Sequence, residues 1–210
     1  MIDHPIRFDD EDDDQPETQP MDPAKTLPGP FMAVQQSLFK ARTVLVFGEI
    51  NQKVAQDTVA QLLALAAESS EPIRLFISSP GGHVESGDSI HDTIRFITPK
   101  VQVIGTGWVA SAGAHIFLGA AREDRYCLPN TRFLIHQPMG GSRGQATDIA
   151  IEAKEIVKMR KRLNSIIARE TGQPLEKVEQ DTDRNYWMSA EEAKSYGLVT
   201  HIIESMDALK

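Results

Sequence analysis

The stretch VQVIGTGWVASAGAHIFLGA, residues 101–120, decides the fold because it joins a strand pattern to a helix pattern through a turn of small residues. The segment 101–107 reads as a buried strand, and a small-residue helix is predicted near 112–120. The flanking sequence continues the alternation, with strands predicted at 43–50, 74–79 and 131–138 and helices at 52–68 and 89–97. This alternation predicts an α/β fold of right-handed βαβ units with a largely parallel sheet.

A long helix is predicted over about 146–170, with an apolar stripe along one face. About 25 residues at 1.5 Å each span roughly 37 Å, which exceeds what a small domain needs. The helix could project and pack on a partner, or wrap over the sheet as part of the core, and the sequence leaves both alternatives open. A last helix begins at the capping box of Ser189 and Glu192, with Gly197 as its C′ residue.

Composition and charge indicate one globular domain, residues 31–210, behind an acidic tail. The 210 residues are 40% apolar and 25% charged, as in ordinary globular domains. Residues 1–30 contain nine acids, two bases and six prolines, which predicts a mobile segment: a solvated tail, a removable leader, or a gating or docking segment. The rest of the chain is nearly neutral, with no basic stripe for nucleic acid.

The sequence also predicts a cytoplasmic protein. No segment has the length of a membrane span, and the N-terminus lacks the pattern of a signal peptide. Cys127 is the one cysteine, so no intrachain disulfide can form, and we expect a packed thiol. No spacing of His, Asp or Glu predicts a metal site, and no phosphate-binding P-loop is present, so we expect no cofactor.

Two segments carry the candidate chemistry. Ser111 stands among alanine and glycine, so nothing bulky keeps a substrate carbonyl from its Oγ, and His136 closes an apolar strand from which it could take the serine proton. In SPGG, residues 79–82, paired glycines let consecutive amides point at an anion. The amides of Gly82 and Ala112 are therefore the expected donors to a tetrahedral oxyanion.

Four segments together resemble the ClpP family, the caseinolytic serine peptidases. They are SSPGGHVESGDSIHDTIRFI, GWVASAGAHIFLGA, CLPNTRFLIHQPMGGSRGQATDIAIEAKEI and MSAEEAKSYGLV, and the similarity covers about residues 35–205. The resemblance implies a ClpP/crotonase-like fold with a projecting handle helix over about 146–170. It also implies a barrel of two stacked heptameric rings, to which an AAA+ unfoldase of the ClpX or ClpA type delivers unfolded polypeptides.

Position by position, the resemblance makes Ser111 the nucleophile, His136 the general base, and Gly82 and Ala112 the oxyanion-hole amides. The third triad position departs from the family, because Asn185 stands where aspartate is usual. An asparagine oxygen can orient the histidine but supplies no negative charge for the imidazolium. Asp181 or Asp183 could substitute, or the site could be completed only on ring assembly.

Two rival functions remain open at this stage. The chain could be a weakly active or structural paralogue that completes a mixed barrel with another ClpP. A crotonase-type acyl-CoA enzyme also uses a glycine-rich oxyanion hole, although the order SPGG, ASAG, IHQP weighs against it. The favoured prediction is a serine endopeptidase that acts on unfolded polypeptides, in homomeric or mixed rings.

Overall fold

The computed structural model describes residues 29–141 and 143–209, so the tail predicted at 1–30 lies almost wholly outside the described residues. The helices are α1 (Pro30–Lys40), α2 (Gln52–Glu68), α3 (Val84–Phe96), α4 (Ala112–Phe117), α5 (Ala146–Thr171), α6 (Leu175–Asp181) and α7 (Ala190–Tyr196). The strands are β1 (Thr43–Phe47), β2 (Ile73–Ser79), β3 (Val101–Ala110), β4 (Arg125–Cys127), β5 (Arg132–Ile135), β6 (Tyr186–Met188) and β7 (His201–Ile202).

The sheet is parallel except at one edge, which confirms the predicted α/β architecture. Its main path runs β1-β2-β3-β4-β7, with every neighbouring pair parallel. Strand β3 is long enough to serve two neighbours: residues 103–105 pair with β4, and residues 108–110 pair with β5. Strand β6 then adds antiparallel to β5. The end of β3 is therefore the point from which the second part of the sheet branches.

Several boundaries differ from those read off the sequence. Helix α3 begins at Val84 rather than 89 because the side chain of His83 caps it, its Nδ1 accepting a hydrogen bond from the Ser86 amide. Histidine is not among the usual N-cap residues, so the pattern hid this start. Helix α1, which has 11 residues, is not predicted from the sequence. Neither are α6 and the short strands β4, β6 and β7, since segments of two to seven residues carry little periodicity.

The buried face of the sheet and helices α2, α3 and α4 form one continuous apolar core. Within it lies the fully buried side chain of Arg125, whose guanidinium donates to the carbonyls of Leu118 and Ala120 and pairs with the carboxylate of Glu170. Because a buried cation needs all of its donors satisfied, this cluster ties β4 to the end of α5.

Helix α5 projects from the core. Its buried residues, Asn164, Ile167 and Thr171, all lie near its C-terminal end, whereas Ile151 and Val157 are about half exposed. The alternative of a helix wrapped over the sheet along its whole length is therefore wrong. No helix in the described ranges is long and apolar enough to cross a membrane.

The glycine that ends α7 is required by both conformation and space. Gly197 has a φ of +99°, and a Cβ there would lie 2.3 Å from the Thr171 carbonyl oxygen at the end of α5. Gly48 has a similar φ of +80° but open space around its Cα. A substitution at Gly48 therefore tests backbone strain alone, whereas the same substitution at Gly197 adds a steric clash.

We expect Gly48→Ala to lower the free energy of unfolding by about 1–2 kcal/mol, the cost of a left-handed alanine. Gly197→Ala should cost on the order of 3 kcal/mol or more, because the ends of α5 and α7 must also separate. Urea unfolding at one fixed protein concentration measures both, since an oligomer's stability depends on concentration. Equal losses in the two variants would contradict the close packing of these helix ends.

Candidate active site

Ser111 sits at the turn where β3 becomes α4, in a backbone conformation that is rare for a side-chain-bearing residue. Its φ is 56° and ψ is −120°, and Arg42 is the other non-glycine residue with positive φ in the described part of the chain. The Ser111 amide donates to the Leu134 carbonyl on β5, 2.9 Å away, which fixes the turn. Strained conformations of this kind persist only where the surroundings hold them, and they concentrate at functional sites.

The glycines of the SPGG segment are needed for the close approach of two turns. A Cβ at Gly81 would lie 2.5 Å from the Ser111 Cβ, and one at Gly82 would lie 2.2 Å from the Ile50 carbonyl oxygen. Both glycines have positive φ. Only glycine can therefore bring the segment 79–82 against the serine turn.

His136 follows directly after β5 and reaches across to Ser111. Its Nε2 lies 2.8 Å from the Ser111 Oγ. This distance is within the range over which an imidazole can remove a hydroxyl proton. Sequence reasoning placed these two side chains together, and the structure brings them into direct contact because β5 pairs with the end of β3.

The half-buried position of His136 favours its neutral form. Burial lowers the pKa of His136 below its ordinary value of 6.5, because the imidazolium loses hydration that nothing nearby replaces. A neutral ring at near-neutral pH has a free lone pair, which a general base requires. The electrostatics of the site therefore suit proton abstraction from Ser111.

The two expected oxyanion donors belong to the two turns that meet at Ser111. Ala112 is the first residue of α4, and amides of a first helical turn have no acceptor within the helix. Beside Gly82, the amides of Ile50 and His83 bond to the carbonyls of Gly81 and Ile50. Within the described ranges the amide of Gly82 makes no backbone hydrogen bond, so both amides are available to an anion.

Asn185 is near the histidine in register but not bonded to it. The ladder between β5 and β6 ends at the pair Ile135–Tyr186, and one further step places His136 opposite Asn185. The side chain of Asn185 is exposed, and neither it nor the Nδ1 of His136 has a hydrogen-bond partner among the described residues. The structure thus joins two members of the predicted triad and leaves the third apart.

The alternative aspartates are engaged elsewhere. Asp183 accepts from the guanidinium of Arg160, 3.1 Å away, and Asp181 accepts from Lys177 and the Tyr196 hydroxyl, 2.8 and 2.9 Å away. Neither carboxylate bonds to His136. Substitution by Asp181 or Asp183 therefore has no support in this conformation.

A small pocket opens beside the Ser111–His136 pair. Its apolar lining residues include Val84, Leu118, Ile135, Pro138, Leu163 and Ile167. The last two belong to α5. One wall is polar, since His115 from α4 also lines the pocket. A side chain next to a scissile carbonyl bound at Ser111 would enter this space.

Sequence reasoning missed the role of two histidines. His91 and His115 are both buried, and their rings stack 4.4 Å apart. His115 is hydrogen-bonded to Asp88, and the guanidinium of Arg162, on α5, donates to the same carboxylate. The spacing of Asp88 and His91 on one helix face was the available signal, whereas the contacts with α4 and α5 are tertiary.

Other site predictions concern metals and the cysteine. The described residues contain no group of three or more His, Cys, Asp or Glu that could hold a metal ion. Cys127 is buried, and burial raises the pKa of its thiol to about 12. A thiol so resistant to ionisation is a packed side chain rather than a nucleophile.

Comparison with known proteins gives one family. The Clp protease family model matches residues 30–206. The "ATP-dependent Clp protease proteolytic subunit 3" of Rhizobium etli is 64% identical over 171 residues, 81% of this chain and 88% of the relative. The "ATP-dependent Clp protease proteolytic subunit 2" of Gluconobacter oxydans is 60% identical over 209 residues, 98% of this chain and 93% of the relative.

Solved structures agree with this result. ClpP1 from Listeria monocytogenes is 55% identical, with a TM-score of 0.76, and covers 84% of this chain and 99% of its own. A mutant of the same protein with one asparagine replaced by aspartate has the same identity and coverage and a TM-score of 0.79.

The lowered pKa of His136 predicts the acid limb of the serine's reactivity. The neutral ring is the active form, so reactivity is lost as pH falls through the pKa of His136. We expect the rate of Ser111 modification by a fluorophosphonate to decline with an apparent pKa below 6.5. Intact-mass kinetics across the pH range measure this. An acid limb centred above 6.5 would contradict the influence of burial on this ring.

Proposed function

This chain belongs to the Clp protease family, and we propose that Ser111 and His136 form the catalytic pair with which it hydrolyses peptide bonds. The protein is a proteolytic subunit of an ATP-dependent Clp protease, a serine-type endopeptidase. The observation that carries the residue assignment is the 2.8 Å contact between His136 Nε2 and Ser111 Oγ beside an apolar pocket.

The proposed reaction is acyl transfer through Ser111. As Oγ attacks the scissile carbonyl, its proton moves to Nε2 of His136, and the amides of Gly82 and Ala112 hold the oxyanion. Collapse of the intermediate breaks the C–N bond, and His136 gives the proton to the leaving amine. Water, deprotonated by the same ring, then hydrolyses the acyl-enzyme and restores Ser111.

Asn185 is proposed as the orienting residue of His136, acting after a local adjustment. Its backbone already lies one register step beyond the β5–β6 ladder, opposite the ring. A rotation that brings its side-chain oxygen to Nδ1 would hold the tautomer that leaves Nε2 free to accept the Ser111 proton. Because asparagine carries no charge, the imidazolium would be less stabilised than beside aspartate.

As a Clp proteolytic subunit, the chain works in a ring oligomer with an AAA+ unfoldase. We propose two stacked heptamers of this chain, an unfoldase of the ClpX or ClpA type, unfolded polypeptides as substrates, and a cytoplasmic location. The exposed apolar side chains of Ile149, Ile151 and Val157 on the projecting part of α5 support packing of ring against ring.

A second candidate is a weakly active paralogue that completes a mixed barrel with another ClpP. The separation of Asn185 from His136 is the observation that favours it, since a site without an oriented base turns over slowly. Co-purification with a second ClpP chain would support this alternative.

Covalent labelling tests the proposed nucleophile. A fluorophosphonate should add one mass increment to the purified protein, and Ser111→Ala should abolish the addition while the rings still assemble, as judged by size-exclusion chromatography. Ser89→Ala, on the exposed side of α3, is the matched control and should label like the unchanged protein. Labelling that persists in Ser111→Ala would show that another residue reacts.

Replacing Asn185 with aspartate, the residue usual in the family, tests whether it is the third member of the triad. We expect Asn185→Asp to raise kcat/KM for peptide hydrolysis by about tenfold or more, because a carboxylate can accept from Nδ1 and stabilise the imidazolium. The added charge should also move the acid limb to higher pH, since a nearby anion raises the pKa of His136.

Asn130→Asp adds the same charge in the exposed turn before β5 and is the control. It should change neither the rate nor the pH profile. An Asn185→Asp variant that behaves like this control would remove Asn185 from the catalytic centre.

A further inference from the structure

The pocket beside Ser111 has a polar wall that the catalytic reaction does not use. His115, from α4, lines the pocket, and its side chain is 7% exposed. The other wall residues are mainly aliphatic, so the histidine is a local exception. A buried polar group in an apolar pocket fixes the choice of ligand more than the apolar walls do.

The Nε2 of His115 is hydrogen-bonded to a carboxylate. It lies 2.8 Å from Oδ1 of Asp88, and Arg162 of α5 donates to both carboxylate oxygens at 2.7 Å. Burial alone raises the pKa of Asp88, but the hydrogen bonds from His115 and Arg162 and the charge of Arg162 outweigh burial and hold it well below its usual range. An ionised carboxylate only accepts, so Nε2 carries the proton and donates it.

The other end of the ring has no partner. The Nδ1 of His115 is buried and makes no hydrogen bond within the described ranges. The ring of His91 lies parallel to that of His115, with 7° between their planes, so it contacts the ring face and not the in-plane lone pair of Nδ1. His91 is itself bonded through its Nδ1 to Asp92, 3.0 Å away. In the neutral ring, Nδ1 is therefore a buried, unsatisfied acceptor on a side chain that lines the pocket.

We propose that His115 is a specificity-determining residue, whose Nδ1 accepts a hydrogen bond from the P1 side chain of the substrate. This inference rests on the proposed function of Ser111. The walls favour a side chain with an apolar body, and Nδ1 favours a neutral donor at its end, as in threonine or glutamine. An analogue that lacks the donor leaves Nδ1 buried and unpaired, and such sites discriminate strongly against it.

Asp88 is a positioning residue in this arrangement, because it acts on substrate only through His115. The carboxylate fixes both the orientation of the ring and the tautomer that leaves Nδ1 as an acceptor. Arg162, Leu163 and Ile167 connect the same pocket to α5. The selectivity of the pocket therefore depends on how α5 packs against α3 and α4.

The test compares isosteric substrates on the assembled, full-length protein at about pH 8.5, well above the ordinary imidazole pKa. The substrates are p-nitrophenyl esters of otherwise identical short peptides with threonine or valine, and with glutamine or methionine, at P1. Activated esters acylate a serine even where amide turnover is slow. We expect kcat/KM to favour threonine over valine and glutamine over methionine by about tenfold.

His115→Phe keeps a ring in the stack and removes Nδ1, and it should abolish or reverse both preferences. Asp88→Asn should weaken them, because the amide no longer dictates which nitrogen carries the proton. The ratio within each pair is the readout, since it cancels any general loss of activity that a structural role would cause. Ser89→Ala, on the same helix as Asp88, should keep the ratios of the unchanged protein.

The outcomes separate this inference from the proposed function. Fluorophosphonate labelling of Ser111 together with equal rates for the members of each pair in the unchanged protein would overturn the inference alone. Preferences that survive in His115→Phe would also overturn it. Absence of Ser111 labelling would overturn both proposals.

Discussion

The turn at Ser111 is the constraint on which the rest of the active site depends. A positive φ at a serine is unfavourable, and it persists here because the amide bonds to Leu134 and because glycine at position 81 leaves room for the side chain. The same turn ends β3, begins α4 and aligns β5. One local conformation therefore sets the position of the proposed nucleophile, of one proposed oxyanion amide and of His136.

The branching of the sheet at the end of β3 explains how distant segments meet. Because β5 pairs with the last residues of β3, His136 emerges beside Ser111 although 25 positions separate them. Because β6 adds antiparallel to β5, the segment before Tyr186 returns to the same place. The backbone thus brings Asn185, the predicted third member of the triad, opposite His136, and its side chain makes no hydrogen bond to the ring among the described residues. A neutral amide gains less from approaching the ring than a carboxylate would, which accounts for its exposure.

The pocket beside the site is a second physical element, built largely from helix side chains. Asp88 of α3 bonds both to His115 of α4 and to Arg162 of α5, so charge-assisted bonds connect the three helices through one carboxylate. Buried charges are stable only when paired, so this cluster is held as a unit. It links the pocket beside Ser111 with α5, the helix whose exposed apolar face we propose for ring packing. Assembly and substrate selection would then act on the same helix.

The sequence by itself determined the α/β architecture, the small-residue turn, the long helix, and Ser111 and His136 as candidates, because periodicity, glycine and small-residue spacing are local properties. It also exposed the departure at Asn185. Only the tertiary structure decided that α5 projects, that Asn185 stands apart from His136, and that His91 and His115 are buried together. Those features depend on which faces of α3, α4 and α5 pack against one another. The residues in contact are distant in sequence, so no local pattern records them.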